Sequence, residues 1–250
     1  GQLGHAVDPG ESSVTSTLIG QLDSPFVRRV ALAAAYLGVE FDHLPWSAWS
    51  GPEPVIALNP LGRVPIWRWA DGSVLTDTHC ILFALEEAVA PGFSLWPAAM
   101  EPRRRELALM ALAAGVADKL VARSYQQVFA PDAATGYQQR LVEQIARTWS
   151  ALEAALATAP HREPNTETDT ETNTPPSAAV ARSASRHPGI GAVAPTPTHA
   201  DIAIACAMRF CAEAHPDLAA RTPALQRHAA YWEGQAPFVR YQQAFIAPKR

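Results

Sequence analysis

Three short stretches of this 250-residue chain pair residue types in ways that can do chemistry. In Ser24-Pro25-Phe26-Val27-Arg28-Arg29-Val30, a hydroxyl stands just before a proline that can open a helix. There it sits among free N–H groups at the positive end of the helix dipole, where it can hydrogen-bond and stabilise an anion such as a thiolate. The plainer reading is a helix N-cap and nothing more. In Asn59-Pro60-Leu61-Gly62-Arg63-Val64-Pro65, a cis Val64–Pro65 bond would leave the Val64 backbone at a bend where an extended peptide can pair with it as an added strand. A trans proline opening an edge strand is the alternative. In Asp77-Thr78, an acid can hold an ammonium and a hydroxyl beside free helix N–H groups can hold a carboxylate. Together these suit the two charges of an α-amino acid, although both residues are also ordinary helix caps.

The elements that must position these residues follow from periodicity and punctuation. Residues 14–20 mix β-branched residues with Leu and Ile and predict a short strand, closed by Asp23, Ser24 and Pro25. Phe26, Val30, Ala33 and Leu37 then recur at helical spacing and predict one apolar face on a helix over 25–37, capped by Ser24 and stopped at Gly38. Residues 39–44 predict a second strand, completing a β-α-β unit. A Trp- and Pro-rich connection leads to a strand at 66–69. The Asp71-Gly72 turn joins it to Val74-Leu75 as a hairpin. A helix over 77–89 follows, with Ile81, Leu82, Leu85 and Val89 facing inward.

Past Pro91 and Pro97 the pattern is helical. Leu107, Met110, Ala114, Ala117, Val121 and Val128 mark a helix over 102–129, and Leu141, Ile145, Trp149, Leu152 and Leu156 mark another over 137–158. Residues 160–197 hold no Leu, Met or aromatic residue and are rich in Thr, Glu, Asn and Pro, so they predict a disordered insert. Thr198-His199-Ala200-Asp201 is close to a capping box and opens a helix whose run from Ile202 to Phe210 reads as buried. Helices near 216–233 and 237–246 complete the chain.

Composition bounds the function. The apolar fraction is 48%, the charged fraction 18% and the formal net charge -4, which describes a globular protein without the basic field that nucleic acid needs. No apolar run approaches the ~20 residues of a membrane span, and residues 1–13 lack the core of a signal peptide, reading instead as a flexible leader. Three cysteines form no disulfide framework or metal pair and fit a reducing, cytoplasmic setting. Cys80 and Cys206 read as small core residues, with Cys211 more exposed. The eight histidines show no metal-ligand spacing, so no metal is expected. His79 can approach a ligand at Asp77-Thr78 but reads first as solvent-facing. Gly189-Ile190-Gly191 follows no strand and is rejected as a dinucleotide fingerprint.

The three stretches, in this order on a β-α-β then β-β-α pattern with a helical second half, resemble the glutathione S-transferase family. The resemblance rests on SPFVRRV at 24–30, NPLGRVP at 59–65, LTDTHCI at 75–81 and THADIAIA at 198–205, and spans about residues 14–247 apart from the insert. It implies an α/β plus all-α architecture: a thioredoxin-like domain over 14–93 that binds glutathione, and a helical domain over 94–250. It further implies that Ser24, as in the bacterial Ser/Cys-type branch, contacts the glutathione sulfur. Val64, before the cis-proline Pro65, pairs with the cysteinyl backbone, and Asp77 and Thr78 bind the γ-glutamyl end. Thr198 to Asp201 matches the family's capping box.

Asp-Thr replaces the family's usual Glu-Ser, which shortens the acid and adds a methyl while keeping the chemistry. The Ser-Ser-Cys signature of the isomerase branch is absent, no Tyr occupies the first strand-helix turn, and Ser24 removes the sulfur nucleophile of the lyase and reductase branches. The implied activity is thus a transferase of alkyl or aryl groups serving detoxification, with glutathione as co-substrate, in a cytoplasmic homodimer. Ser24 donates a hydrogen bond to the thiolate, which attacks a small hydrophobic electrophile held against Met110, Ala114, Val121 and Tyr125. Those four can equally be helix-packing core. The alternative function is a non-catalytic binding or scaffold protein that keeps the fold.

Overall fold

A computed structural model describes residues 15–90, 92–132, 135–158 and 196–248. The leader at 1–13 and nearly all of the insert expected at 160–197 lie outside the described residues. The first half runs β1 (Ser16–Ile19), α1 (Pro25–Leu37), β2 (Phe41–Leu44), α2 (Glu53–Leu58), β3 (Ile66–Arg68), β4 (Val74–Thr76) and α3 (Thr78–Glu87). The four strands lie in the order β2-β1-β3-β4, with β1 and β2 parallel and the other neighbours antiparallel. This is the thioredoxin-like sheet expected from the sequence, made from a β-α-β unit and a β-β-α unit.

Local chemistry sets the ends of α1. The Val27 N–H donates to Ser24 Oγ at 3.4 Å, Pro25 occupies the first turn, where its missing N–H costs nothing, and Gly38 caps the other end at φ 72°. The apolar stripe expected along α1 is instead a nearly continuous buried surface that includes Arg28 and Arg29. The cause is its place between the sheet and the helical half: Leu18 and Trp67 join it on one side, Ile202, Ala205 and Cys206 on the other, in one core.

The Trp- and Pro-rich connection before Asn59, for which the sequence reading gave no element, contains α2. Its prolines, Pro52 and Pro54, sit at the helix start, where a missing N–H is tolerated, and only Val55 is buried, so no period betrays the helix. Cys80 is exposed, not a core residue, because the packed face of α3 is Ile81, Leu82 and Leu85; Cys206 and Cys211 are both buried.

The second half comprises α4 (Met100–Phe129), α5 (Thr135–Ala157), α6 (His199–Ala214), a 3-10 turn (Pro216–Leu218), α7 (Pro223–Glu233) and α8 (Ala236–Arg240). The Thr198 capping box forms in full: Asp201 N–H donates to Thr198 Oγ1 at 3.2 Å, and Thr198 N–H to Asp201 Oδ2 at 2.8 Å. The helix expected over 216–233 is broken, because Pro223 disfavours helical backbone at Thr222 and itself starts α7. The helix expected over 237–246 stops at Arg240. Beyond it residues 241–248 form a strap without regular secondary structure, whose Tyr241 carbonyl and Phe245 and Ile246 N–H groups bond to distant parts of the protein.

Candidate functional site

A cleft of about 790 Å³ opens between the sheet half and α4. Ser24, Val64, Asp77 and Thr78 line it from the first half, and Ala114, Val121 and Tyr125 from α4. Met110 does not. It is packed with Ala113, Ala117, Ala203 and Ala207 in the helical core.

Ser24 ends the turn after β1. Its Oγ accepts the Val27 N–H, which leaves the hydroxyl hydrogen free to donate toward an anion in the cleft. Gly20 makes the turn possible: a Cβ there would stand 2.5 Å from Val27 Cγ2 and 2.8 Å from Val64 Cβ. The Val64–Pro65 bond is cis, as the family resemblance implied and against the trans alternative. The sheet ladder begins at Ile66, so it does not take up the Val64 backbone.

Asp77 caps α3 from a left-handed conformation, φ 73° and ψ 130°. Among the described residues it is the one non-glycine with positive φ, the kind of strain that functional sites retain. Its Oδ1 accepts the N–H groups of His79 (2.8 Å) and Cys80 (3.3 Å). The second oxygen is left for a cation. Thr78, the first residue of α3, is buried at the cleft wall. His79 lines the cleft and is also half-exposed. Burial, and then the nearby Arg29 charge, hold its pKa below the ordinary value, so it is neutral at pH 7.

Several wall residues carried no signal in the sequence reading. Arg63, inside the NPLGRVP turn, is the one arginine or lysine among the lining residues and can meet a carboxylate. Trp49 packs edge-on against Tyr125 at 4.4 Å and stacks on Phe129 at 5.0 Å. Burial raises the Tyr125 pKa, so the phenol stays protonated. Phe245, Ile246 and Pro248 of the strap complete the lining. Behind the site Arg29 is 2% exposed, and none of its three nitrogens has a hydrogen-bond partner. Desolvation lowers its pKa to about 10, against the favourable charge of Asp77.

A second serine at the cleft invites a nucleophile reading that the geometry rejects. Ser124 Oγ lies 2.9 Å from His215 Nε2. His215 Nδ1, however, faces Arg123 Nη1 at 3.2 Å, and a guanidinium can only donate. The ring proton therefore sits on Nε2, shared with the Leu120 carbonyl at 2.9 Å, and His215 cannot accept the Ser124 proton. Among the described residues no cluster of three or more His, Cys, Asp or Glu is placed to hold a metal ion, and no helix is long and apolar enough to cross a membrane.

Residues 23–88 match the family model described as glutathione S-transferase, N-terminal domain. The curated proteins offer no match to this chain. Among solved structures, a glutathione transferase family member from Pseudomonas fluorescens Pf-5 with bound glutathione is 25% identical, with a TM-score of 0.67 over 92% of this chain and 100% of that one. A glutathione S-transferase from Methylobacillus flagellatus KT with GSH bound is 21% identical, with a TM-score of 0.70 over 93% and 100%. A maleyl pyruvate isomerase, a bacterial glutathione S-transferase of the Zeta class, is 22% identical, with a TM-score of 0.63 over 90% and 95%.

Proposed function

The chain belongs to the glutathione S-transferase family, and from that premise we propose that it binds glutathione in this cleft and activates its thiol for attack on a hydrophobic electrophile. The observation that carries the reading is the convergence of Ser24, Val64, Asp77 and Thr78 on one cavity from three separate loops. Asp77 Oδ2 holds the γ-glutamyl ammonium, and the Thr78 hydroxyl and the α3 N-terminus hold its carboxylate. Val64 pairs with the cysteinyl backbone, and Arg63 meets the glycyl carboxylate. The sulfur then lies at the N-terminus of α1, beside Ser24.

A free thiol has a pKa near ~8.5, and lowering it by about two units takes roughly 2.7 kcal/mol of differential stabilisation. A hydrogen bond from a hydroxyl to the anion contributes ~1.5–3 kcal/mol and the helix dipole ~0.3–1 kcal/mol. Ser24 is a donor here, not a nucleophile. The thiolate sulfur forms a bond to the electrophilic carbon, and the leaving group departs with its electron pair. The electrophile lies against Ala114, Val121 and Tyr125, with Met110 behind them in the core. A cytoplasmic homodimer serving detoxification completes the reading, and exposed Leu61, Phe83 and Leu107 offer apolar surface for a second copy.

Retention on glutathione-agarose, followed by a conjugation assay on wild type and Ser24→Ala, tests this. Wild type is expected to bind and turn over, and Ser24→Ala to bind with conjugation slowed about 10- to 100-fold. Equal rates would remove Ser24 from the mechanism. Binding without turnover in the wild type would favour the scaffold function.

A further inference from the structure

Strand β2 holds the turn between β1 and α1 at both polar groups of Gly20. The Gly20 N–H donates to the Leu44 carbonyl at 2.9 Å, and the Gly20 carbonyl lies 2.8 Å from His43 Nε2. A carbonyl only accepts, so the His43 ring carries a proton on Nε2 and donates it. His43 is the third residue of β2, half-buried and paired in register with Leu18. Strand alternation puts it on the face of Phe41, whose ring meets that of Trp67 at 5.5 Å in the core shared with α1.

Gly20 is the residue of this turn with the most freedom to lose. Its φ of 134° lies where glycine alone goes readily, and the absence of a Cβ leaves the backbone there with little of its own to keep it in place. The peptide that follows it sets the course of the chain to Ser24, whose N–H closes the turn on the Gln21 carbonyl at 3.2 Å. Gly20 also packs directly on Val64, since a Cβ added to it would stand 2.8 Å from Val64 Cβ. One glycine therefore sets how the start of α1 and the residue before Pro65 stand relative to each other. The tie to its N–H comes from the backbone of residue 44, which any side chain there would allow. The tie to its carbonyl comes from a side chain, and so depends on His43.

We propose that His43 is a positioning residue for thiol activation: by holding the Gly20 carbonyl, it fixes the turn that aims the Ser24 hydroxyl at the glutathione sulfur. The proposal rests on the transferase reading above. His43 acts through the backbone of residues 20–24 and does not touch the reacting atoms. Support of this kind matters because a hydrogen bond to an anion weakens steeply when its donor is misdirected.

The test titrates the ultraviolet absorbance of the thiolate against pH on the full chain saturated with glutathione, and measures kcat and KM for conjugation of a chlorodinitrobenzene. His43→Leu removes the donor, His43→Asn keeps an amide but one bond short of Nε2, and His43→Gln places an amide N–H where Nε2 stands. His43→Leu and His43→Asn are each expected to raise the ionisation midpoint of the bound thiol by about half a pH unit to one unit, and to lower kcat near neutral pH by roughly three- to tenfold, the scale of one neutral hydrogen bond. His43→Gln is expected to restore both. KM for glutathione is expected to stay within about twofold in all three variants, because Asp77 and Thr78 hold the γ-glutamyl end from another loop. A merely structural role would lower the melting temperature and leave the midpoint where it was. A wild-type midpoint below the ~8.5 of a free thiol that stays unmoved in His43→Leu and His43→Asn would overturn the role of His43 and leave the transferase reading standing. So would a His43→Gln variant that behaves like His43→Leu. A wild-type midpoint no lower than that of free glutathione would overturn thiol activation itself, and the role of His43 with it.

Discussion

A Cβ placed on Gly20 would stand 2.8 Å from the Cβ of Val64, closer than two carbons can rest. The end of β1 thus sets the position of the residue before Pro65, and the φ of 134° at Gly20 adds a second bar to any side chain. Gly20→Ala is expected to push Val64 and Val27 apart, costing about 1–3 kcal/mol of stability as an overpacked site and weakening glutathione binding. Thermal denaturation and a glutathione titration check this. Wild-type values in both would show that Val64 is not held from Gly20.

Asp77 serves two roles through two oxygens, and one substitution separates them. Asn caps helices as well as Asp does, so Asp77→Asn is expected to leave the melting temperature nearly unchanged. It removes the charge meant for the γ-glutamyl ammonium, and glutathione affinity is expected to fall by about tenfold or more. Calorimetric titration beside a melting curve distinguishes the roles: affinity retained in Asp77→Asn would assign the residue to the cap alone.

Arg29 is a buried cation without a hydrogen-bond partner, the arrangement in which a hydrophobic side chain of similar size is often the better tenant. Arg29→Met is expected to raise stability by about 1–4 kcal/mol in urea denaturation. A loss of stability on this change would mean that the guanidinium is satisfied in solution.

The acid limb of the stability curve is expected to have two parts. Burial holds His199 and His215 below the ordinary histidine value of 6.5. The unfolded chain therefore takes up protons first as the pH falls through 6.5, so their contribution is present above that value and lost below it. Burial alone would raise Glu86, but hydrogen bonds from His199 at 2.6 Å, Ser94 and Leu95 outweigh it and depress its pKa below 4.5. Its contribution is present above 4.5 and lost as the pH falls through the depressed value. Urea midpoints are expected to be lower at about pH 5 than at about pH 7.5, and lower again below pH ~4. A flat midpoint from about pH 7.5 to pH 5 would contradict the histidine part.

What could be read in the sequence is what residues settle locally. Ser24, Pro25 and Gly38 bound α1 to the residue, and Thr198 with Asp201 starts α6, because caps act within one turn. Helix α2 stayed hidden behind Pro52 and Pro54, and the strap could not be read at all, since its fasteners Asp23 and Arg28 lie more than 200 residues away. In α4 the apolar positions are wide enough for two faces. Leu109, Ala113, Val116 and Leu120 pack inward, while Ala114, Val121 and Tyr125 look into the cleft. Nothing in the spacing said where one face ended, so Met110 stood among the wall residues until the packing of α4 with α5 and α6 placed it in the core.

Asp23 and Ile246 are 223 residues apart, and that separation is also a delay. At ribosomal rates of about 5–20 residues per second, roughly 10–45 s pass between the synthesis of the two. Throughout that interval a nascent sheet half has Ser24, Val64 and Asp77 but no strap. The cleft is thus among the last parts of the fold to be finished, and a chain stalled before Phe245 would present a site with one wall missing.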